Sequence, residues 1–276
     1  MLLFGCNSKF YYEFLSTLSI QPPAIDLIHA FVHKHEDGPE KWSLPVISKL
    51  SNRVVINQRT KTDLIKLYDE HHVPSHFSDR ILCIYNYTET ILTLPKLKSE
   101  KIIVLYVGRG SSEKRVDLIG RIAGLINKNN STVEFHFIGK NLENIIAKKD
   151  QPFCIFHGEI TDKNKINEFY KKAHLLLITS SREGFPMVVM EGMMHGVVPI
   201  STNVGGISEH VKNNINGILI NALETDEIIN EIVNHITHLT ESLNELSILS
   251  LNATSYAQTH FEKRRFVESY RKILCP

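Results

Sequence analysis

The sequence is poor in cysteine and lacks a dominant charge. Its four cysteines, Cys6, Cys83, Cys154 and Cys275, stand far apart in 276 residues. They form no CxxC pair and no Cys/His cluster of zinc spacing, which excludes a zinc module and offers no disulfide framework. Three of them sit in or beside apolar runs, as reduced thiols of a cytoplasmic protein would. No apolar run approaches the ~20 residues of a membrane span. Leu3-Phe4-Gly5-Cys6 has a faint lipobox look, but no basic segment and no apolar stretch of signal length precede it. Lys and Arg number 31 against 30 Asp and Glu, so no basic field points to nucleic acid. There is no internal repeat and no low-complexity tract.

Apolar residues make up 42%, enough for an ordinary core, and the length suits two compact domains or one large one. From about residue 100 the pattern is regular. Short β-rich runs at Ile102–Val107, Val133–Ile138, Phe153–Phe156, His174–Ile178, Val197–Ser201 and Gly217–Ile220 end in polar or Gly-rich turns. Helical stretches separate them, Val116–Ile126 being the first. This alternation predicts an α/β fold with a doubly wound parallel sheet. Strands that read apolar throughout are covered on both faces. Ligands of such sheets bind where strands end and helices begin. The tail, Leu223 to Ile273, reads as helical. Its last part, Phe261–Ile273, is amphipathic, with a solvated basic face of Lys263, Arg264, Arg265, Arg271 and Lys272. The first hundred residues are less regular: strands at Ala24–Phe31, Arg53–Ile56 and Arg80–Tyr85, and a helix at Thr60–Tyr68.

One segment carries most of the chemistry: Ser180-Ser181-Arg182-Glu183-Gly184-Phe185-Pro186-Met187-Val188-Val189-Met190-Glu191-Gly192-Met193. A strand ends, a polar loop follows, and Pro186 stands where the first helical residue is expected. The amides of Phe185, Met187 and Val188 then point out of the helix start and make an anion site. Glu183 and Glu191 flank it, and a carboxylate can accept two hydroxyls of a sugar or ribose. The plain alternative is an N-terminal helix charge and a surface residue.

These residues resemble the family-4 retaining glycosyltransferases of the GT-B fold. Glu183…Glu191 matches their E-x7-E signature. Gly196-Val197-Val198-Pro199-Ile200-Ser201-Thr202, Gly205-Gly206-Ile207-Ser208-Glu209 and Asn216-Gly217-Ile218-Leu219 continue the match. Upstream, Val107-Gly108-Arg109 with Glu113-Lys114 resembles the family's first strand, loop and helix. The likeness covers about residues 53–273.

The resemblance implies transfer of a sugar from a UDP or GDP sugar with retained anomeric configuration. Arg109 and Lys114 would bind the diphosphate and offset the charge that develops on it. Glu183 would lie near the donor sugar and Glu191 would hold the ribose. Gly184, Phe185, Met187, Val188 and Gly108 would approach the sugar and phosphates, as would Gly205, Gly206 and Glu209 at the same rim. His157 and Gly158 fall where the family places the base, although an ordinary strand-end turn explains them equally well. No Asp-x-Asp occurs, which fits a transferase that uses cations and a helix dipole with no metal and no other cofactor.

The expected division is a partial N-terminal, acceptor-side Rossmann-like domain (1–95), a complete nucleotide-sugar-binding domain (96–260) and a C-terminal helix (261–276) packing back on the N-terminal part. Ser51–Tyr85 resembles the last two strands of the family's N-terminal half. Asn86-Tyr87-Thr88-Glu89 stands where the family has N-G-x-D, and the half's first strands and Gly-rich loop are not matched. His29, His33 and His35 are candidates for a histidine that the family places near the donor sugar. A second expectation therefore stands beside the first: a truncated or split-enzyme subunit, completed by a partner chain, or a pseudoenzyme that binds nucleotide sugar without transferring it alone. The acceptor, a glycan, lipid or small molecule, is not indicated. Cytoplasmic placement, peripheral to the inner face of a membrane, completes the set.

Overall fold

The computed structural model describes residues 2–20, 22–29, 37–89, 101–128 and 132–275. The chain forms two compact units. The first comprises Met1–Tyr87, Glu183–Phe185 and Lys263–Pro276, and the second Thr88–Arg182 and Pro186–Glu262. The expected boundary at 95/96 and two candidate histidines, His33 and His35, lie outside the described residues.

The first unit begins β1 (Leu3–Cys6), α1 (Lys9–Thr17), β2 (Ala24–Ile28), α2 (Pro39–Trp42), β3 (Asn52–Val55), α3 (Gln58–Glu70) and β4 (Ile81–Cys83). Among the described residues its strands number four, all parallel and in sequential order. Three strands were expected; β1 and α1 are additional. A four-residue strand with a central glycine carries too little pattern to read. Gly5 is needed there because the ring of Tyr11 lies where a Cβ would be. Ser8 caps α1 by accepting from the Tyr11 amide at 3.4 Å, and the helix buries Tyr12 and Leu15. The strand expected over Ala24–Phe31 runs only to Ile28, and residues 30–31 lie outside the described residues. Asn57 accepts from the Thr60 amide at 2.7 Å, which starts α3 two residues before the expected Thr60.

An ion pair is sealed in this unit. Arg53 and Asp26 are 1% and 0% exposed and lie 2.6 Å apart. Tyr12 donates to Asp26 at 2.9 Å, and Arg53 donates to the Tyr68 hydroxyl at 2.7 Å. The charges sit on adjacent strands, beneath tyrosines of α1 and α3.

The second unit runs β5 (Ile102–Val107), α4 (Val116–Asn127), β6 (Val133–Ile138), β7 (Cys154–Phe156), α5 (Lys163–Lys172), β8 (Leu175–Ile178), α6 (Met187–Met194), β9 (Val198–Thr202), α7 (Ile207–His210), β10 (Ile218–Ile220), α8 (Thr225–Glu241) and α9 (Leu243–His260). Among the described residues the six strands are parallel, in the order β10-β9-β8-β5-β6-β7. The six runs read from the sequence are these strands, shifted by a residue at some ends. Val104, Phe135, Leu175, Val198 and Ile218 from five strands share one core with Ile119 and Ile122 of α4 and Ile232 of α8. Chain order reverses between β5 and β8. In such sheets that switch point opens a crevice at the carboxyl ends of the two strands.

The tail was expected as one helical stretch. It breaks at Ser242 and again around Phe261, and α10 (Lys263–Leu274) belongs to the first unit. Phe266, Tyr270 and Ile273 of α10 pack against Ile25, Val54 and Ile84. Lys263, Arg264, Arg265, Arg271 and Lys272 are exposed. Among the described residues no helix is long and apolar enough to cross a membrane.

Candidate functional site

The loop after β5 holds Gly108, Arg109 and Lys114. Tyr106 shapes its start: the hydroxyl donates to the Arg109 carbonyl at 2.6 Å and lies against Gly108, where a Cβ would be 2.9 Å from it. The Arg109 side chain is 84% exposed, with Glu113 4.0 Å away. The Ser111 hydroxyl donates to Glu113 at 2.7 Å, and this bond chiefly holds the Glu113 carboxyl below its usual range. Lys114 is half-buried.

The loop after β8 is tied to the loop after β5. Arg115, in the left-handed region at φ 48°, donates to the carbonyls of Thr179 and Ser180 at 2.6 and 3.1 Å. The Thr179 hydroxyl bonds the carbonyls of Lys114 and Arg115 at 2.9 and 3.0 Å. The Ser181 amide donates to the Glu113 carbonyl at 2.8 Å. From β9, Thr202 donates to the Ser180 carbonyl at 2.6 Å. Both backbones at the switch point are thereby clamped. The roles of Arg115, Thr179 and Thr202 are not legible in the sequence, because each holds backbone from a distant strand.

Helix α6 begins at Met187, and Pro186 is its N-cap, with φ −69° and ψ 132°, not its first helical residue. This corrects the expected helix start. With the cap at Pro186, Met187 and Val188 supply the first two helical amides, while the third, on Val189, donates to the Pro186 carbonyl at 3.1 Å. The Phe185 amide precedes the helix altogether. Glu191 lies in the second turn of α6 and accepts from Tyr170 of α5 at 3.0 Å. Burial and the adjacent Glu191 push the Tyr170 phenol well above its usual range, so it remains a donor. Its ring stacks on His195, whose Nδ1 lies 2.8 Å from the Glu191 carbonyl. Tyr170 was also missed. It reads as one more apolar position of α5.

Glu183, Gly184 and Phe185 group with the first unit. Glu183 is half-buried and Phe185 buried. Gly184 packs so closely on the His29 carbonyl and Ile56 that no side chain fits there. His29 itself is exposed, just past the end of β2.

His157 and Gly158 follow β7, two strands from β5 and therefore about 10 Å across the sheet. The His157 amide donates to the Phe137 carbonyl, and the Gly158 carbonyl accepts from the Gly139 amide, each at 2.9 Å. Gly158 has φ 68° and open space where a Cβ would stand. On the opposite flank, Gly205 has φ 58°, a value that favours glycine, and Gly206 caps the four-residue α7 that holds Glu209. His210, beside Glu209, is buried among Tyr256 and Phe261, and burial pulls its imidazole down to about 4. Among the described residues no group of three or more His, Cys, Asp and Glu is placed to hold a metal ion.

Known proteins share this architecture. The crystal structure of TarM superposes with a TM-score of 0.80 at 20% identity, over 100% of this chain and 55% of TarM. Anabaena Alr3699/HepE in complex with UDP gives 0.77 at 17% identity, over 99% of this chain and 78% of that protein. The fold is thus α/β and GT-B-like. The 41.2 kDa protein in the cps region of Klebsiella pneumoniae is 24% identical over 178 residues, 64% of this chain and 47% of that relative. The poly(ribitol-phosphate) alpha-N-acetylglucosaminyltransferase of Staphylococcus aureus is 25% identical over 207 residues, 70% of this chain and 40% of the enzyme. The chain therefore spans about half the length of these two relatives. Residues 90–248, more than half of the chain, match the model of one family, and the protein belongs to it: the glycosyl transferases group 1.

Proposed function

We propose that this chain is a retaining, family-4-type glycosyltransferase that takes a sugar from a UDP or GDP sugar. The carrying observation is the clamp at the switch point. Arg109 and Lys114 leave β5, the E-x7-E segment leaves β8, and Arg115 and Thr179 lock the two loops together. The helix start at Met187 and Val188 and the two cations offer positive charge to a diphosphate, and its development as a leaving group is what they stabilise. No metal or other cofactor is required for that, so transfer should persist in EDTA. Glu191, oriented by Tyr170, holds the ribose. Glu183 serves the donor sugar, and the diphosphate leaves on the face from which the acceptor attacks. Gly205, Gly206 and Glu209 extend the donor rim, and His157 with Gly158 meets the base. HepE, named as bound to UDP, and the N-acetylglucosaminyltransferase support the donor class.

Melting of the purified chain with UDP and with GDP is the first test, followed by release of free nucleotide from a UDP or GDP sugar. Stabilisation by one nucleotide, with turnover lost in Glu183→Ala, is the expected result. If neither nucleotide raises the melting temperature, the donor site is wrongly placed. Tyr170→Phe should lower nucleotide affinity roughly five- to tenfold by releasing the Glu191 carboxylate. A titration that finds the affinity unchanged removes Glu191 from the ribose.

A second reading rests on Asn86-Tyr87-Thr88-Glu89, which stands where the family has N-G-x-D: the chain would then bind nucleotide sugar and transfer it only with a partner chain. Nucleotide binding without turnover of any donor, relieved by adding that partner, would favour this reading. The fold and the separate thiols suit a cytoplasmic enzyme at the inner face of a membrane, acting on a glycan, lipid or small-molecule acceptor.

A further inference from the structure

A line of polar side chains runs along β6 to His157. Lys101 donates to Glu134 Oε1 at 2.6 Å, and Glu134 Oε2 lies 3.3 Å from His136 Nε2. His136 Nδ1 lies 2.9 Å from His157 Nε2. The two imidazoles stack with centroids 5.1 Å apart, and Phe169 of α5 stands 4.5 Å from the His157 ring. The His157 ring is held in place by ring contacts and by its Nε2. Its Nδ1 has no partner among the described residues and is not sealed from solvent.

The hydrogens follow from the inventory of donors. The Lys101 bond holds the Glu134 carboxyl below its usual range, and an ionised carboxylate only accepts. His136 must then carry its hydrogen on Nε2. One hydrogen lies between His136 Nδ1 and His157 Nε2, and the arrangement with a single hydrogen on each ring leaves His136 Nδ1 bare, accepting from His157 Nε2–H. Burial, and after it the neighbouring His136, lowers the His157 imidazole, which keeps that ring neutral. Its Nδ1 is the remaining nitrogen, and it is a bare acceptor.

We propose that Lys101, Glu134 and His136 fix the tautomer of His157, so that His157 Nδ1 accepts a ring N–H from the donor's base. The proposal rests on the base lying at His157 and Gly158. Uracil and guanine carry such a ring N–H on the pairing edge, whereas cytosine and adenine present a bare ring nitrogen there. Acceptor facing acceptor leaves both lone pairs unmatched, so the relay selects UDP and GDP over CDP and ADP. His136 is a positioning residue in this scheme, because it touches His157 and acts on the base through it.

Nitrogen-15 NMR of the full chain reads the tautomers directly. Nε2 should be protonated and Nδ1 bare in both histidines, and UDP should shift the His157 Nδ1 signal. Calorimetric titration should show UDP binding roughly five- to tenfold more tightly than its N3-methyl derivative, the yield of one hydrogen bond. His136→Phe should erase that preference. His136→Gln, whose amide donates to Glu134 and accepts from His157, should restore it, which a merely packing role would not require. An Nδ1–H tautomer at His157, or a preference that survives His136→Phe, overturns the relay. UDP that binds without moving His157 overturns the base contact and leaves the donor reading standing. Failure of any UDP or GDP to bind overturns the donor reading and the proposal with it, whatever the tautomers.

Discussion

Lys114→Ala is expected to lower the rate of sugar transfer by about two to three orders of magnitude, the usual loss when one preorganised charge is removed from a developing anion. The reason is local. Lys114 ends the 3₁₀ turn after β5, and the Thr179 hydroxyl holds its carbonyl at 2.9 Å, so its backbone does not adjust when substrate arrives. Arg109 starts the same loop with a side chain 84% exposed. An exposed guanidinium is screened by water until the site fills, so Arg109→Ala should cost less, on the order of tenfold. Initial rates with donor and without added metal decide the matter. Binding of UDP compared with uridine separates phosphate recognition from folding: Lys114→Ala should weaken UDP and leave uridine alone. Equal rates in wild type and variant would remove Lys114 from the diphosphate.

Arg53→Ala should unfold the first unit most readily of all single changes. It leaves Asp26 buried, 0% exposed, with the Tyr12 hydroxyl as its remaining side-chain partner among the described residues. Breaking one side of a buried pair costs about 3–5 kcal/mol. The chain's one tryptophan, Trp42, packs in this unit beside Tyr12 and Leu15, so its fluorescence reports the unit's own transition. Denaturant titration followed at Trp42 should show the midpoint falling steeply. The double change Asp26→Leu with Arg53→Met should recover most of the loss, because apolar side chains of similar volume avoid the desolvation of two ions. A single variant with an unchanged midpoint would contradict the pair's structural weight. Neither member of the pair is among the residues proposed for transfer, so the fluorescence midpoint tests the scaffold of the first unit, to which Glu183 also belongs.

Much of the second unit was legible. Val133–Ile138 and Leu175–Ile178 read as strands because uninterrupted apolar runs ended by turns are what doubly covered parallel strands require. Short elements were not legible. Leu3–Cys6 offers four residues around a glycine, and its place depends on Tyr11 folding over Gly5. Nor was the cap at Pro186, since proline suits both the cap and the first helical turn, and only the backbone angles distinguish them. Tyr170 and His136 looked like ordinary positions of a helix and a strand. Each acquires its meaning from one partner far along the chain, Glu191 and His157.

By itself the sequence determined the alternation of strands and helices, the Gly-rich turns at the carboxyl ends of the strands, and the glutamate pair of the E-x7-E segment. These are local properties, written within one or two turns of chain. The tertiary structure alone decided that β5 lies beside β8, that Arg115 and Thr179 join their loops, that Glu183–Phe185 groups with the first unit, and that Lys101, Glu134, His136 and His157 fall in line. Strand pairing and side-chain relays join residues dozens of positions apart, and local patterns carry no record of which distant partner the packing will supply.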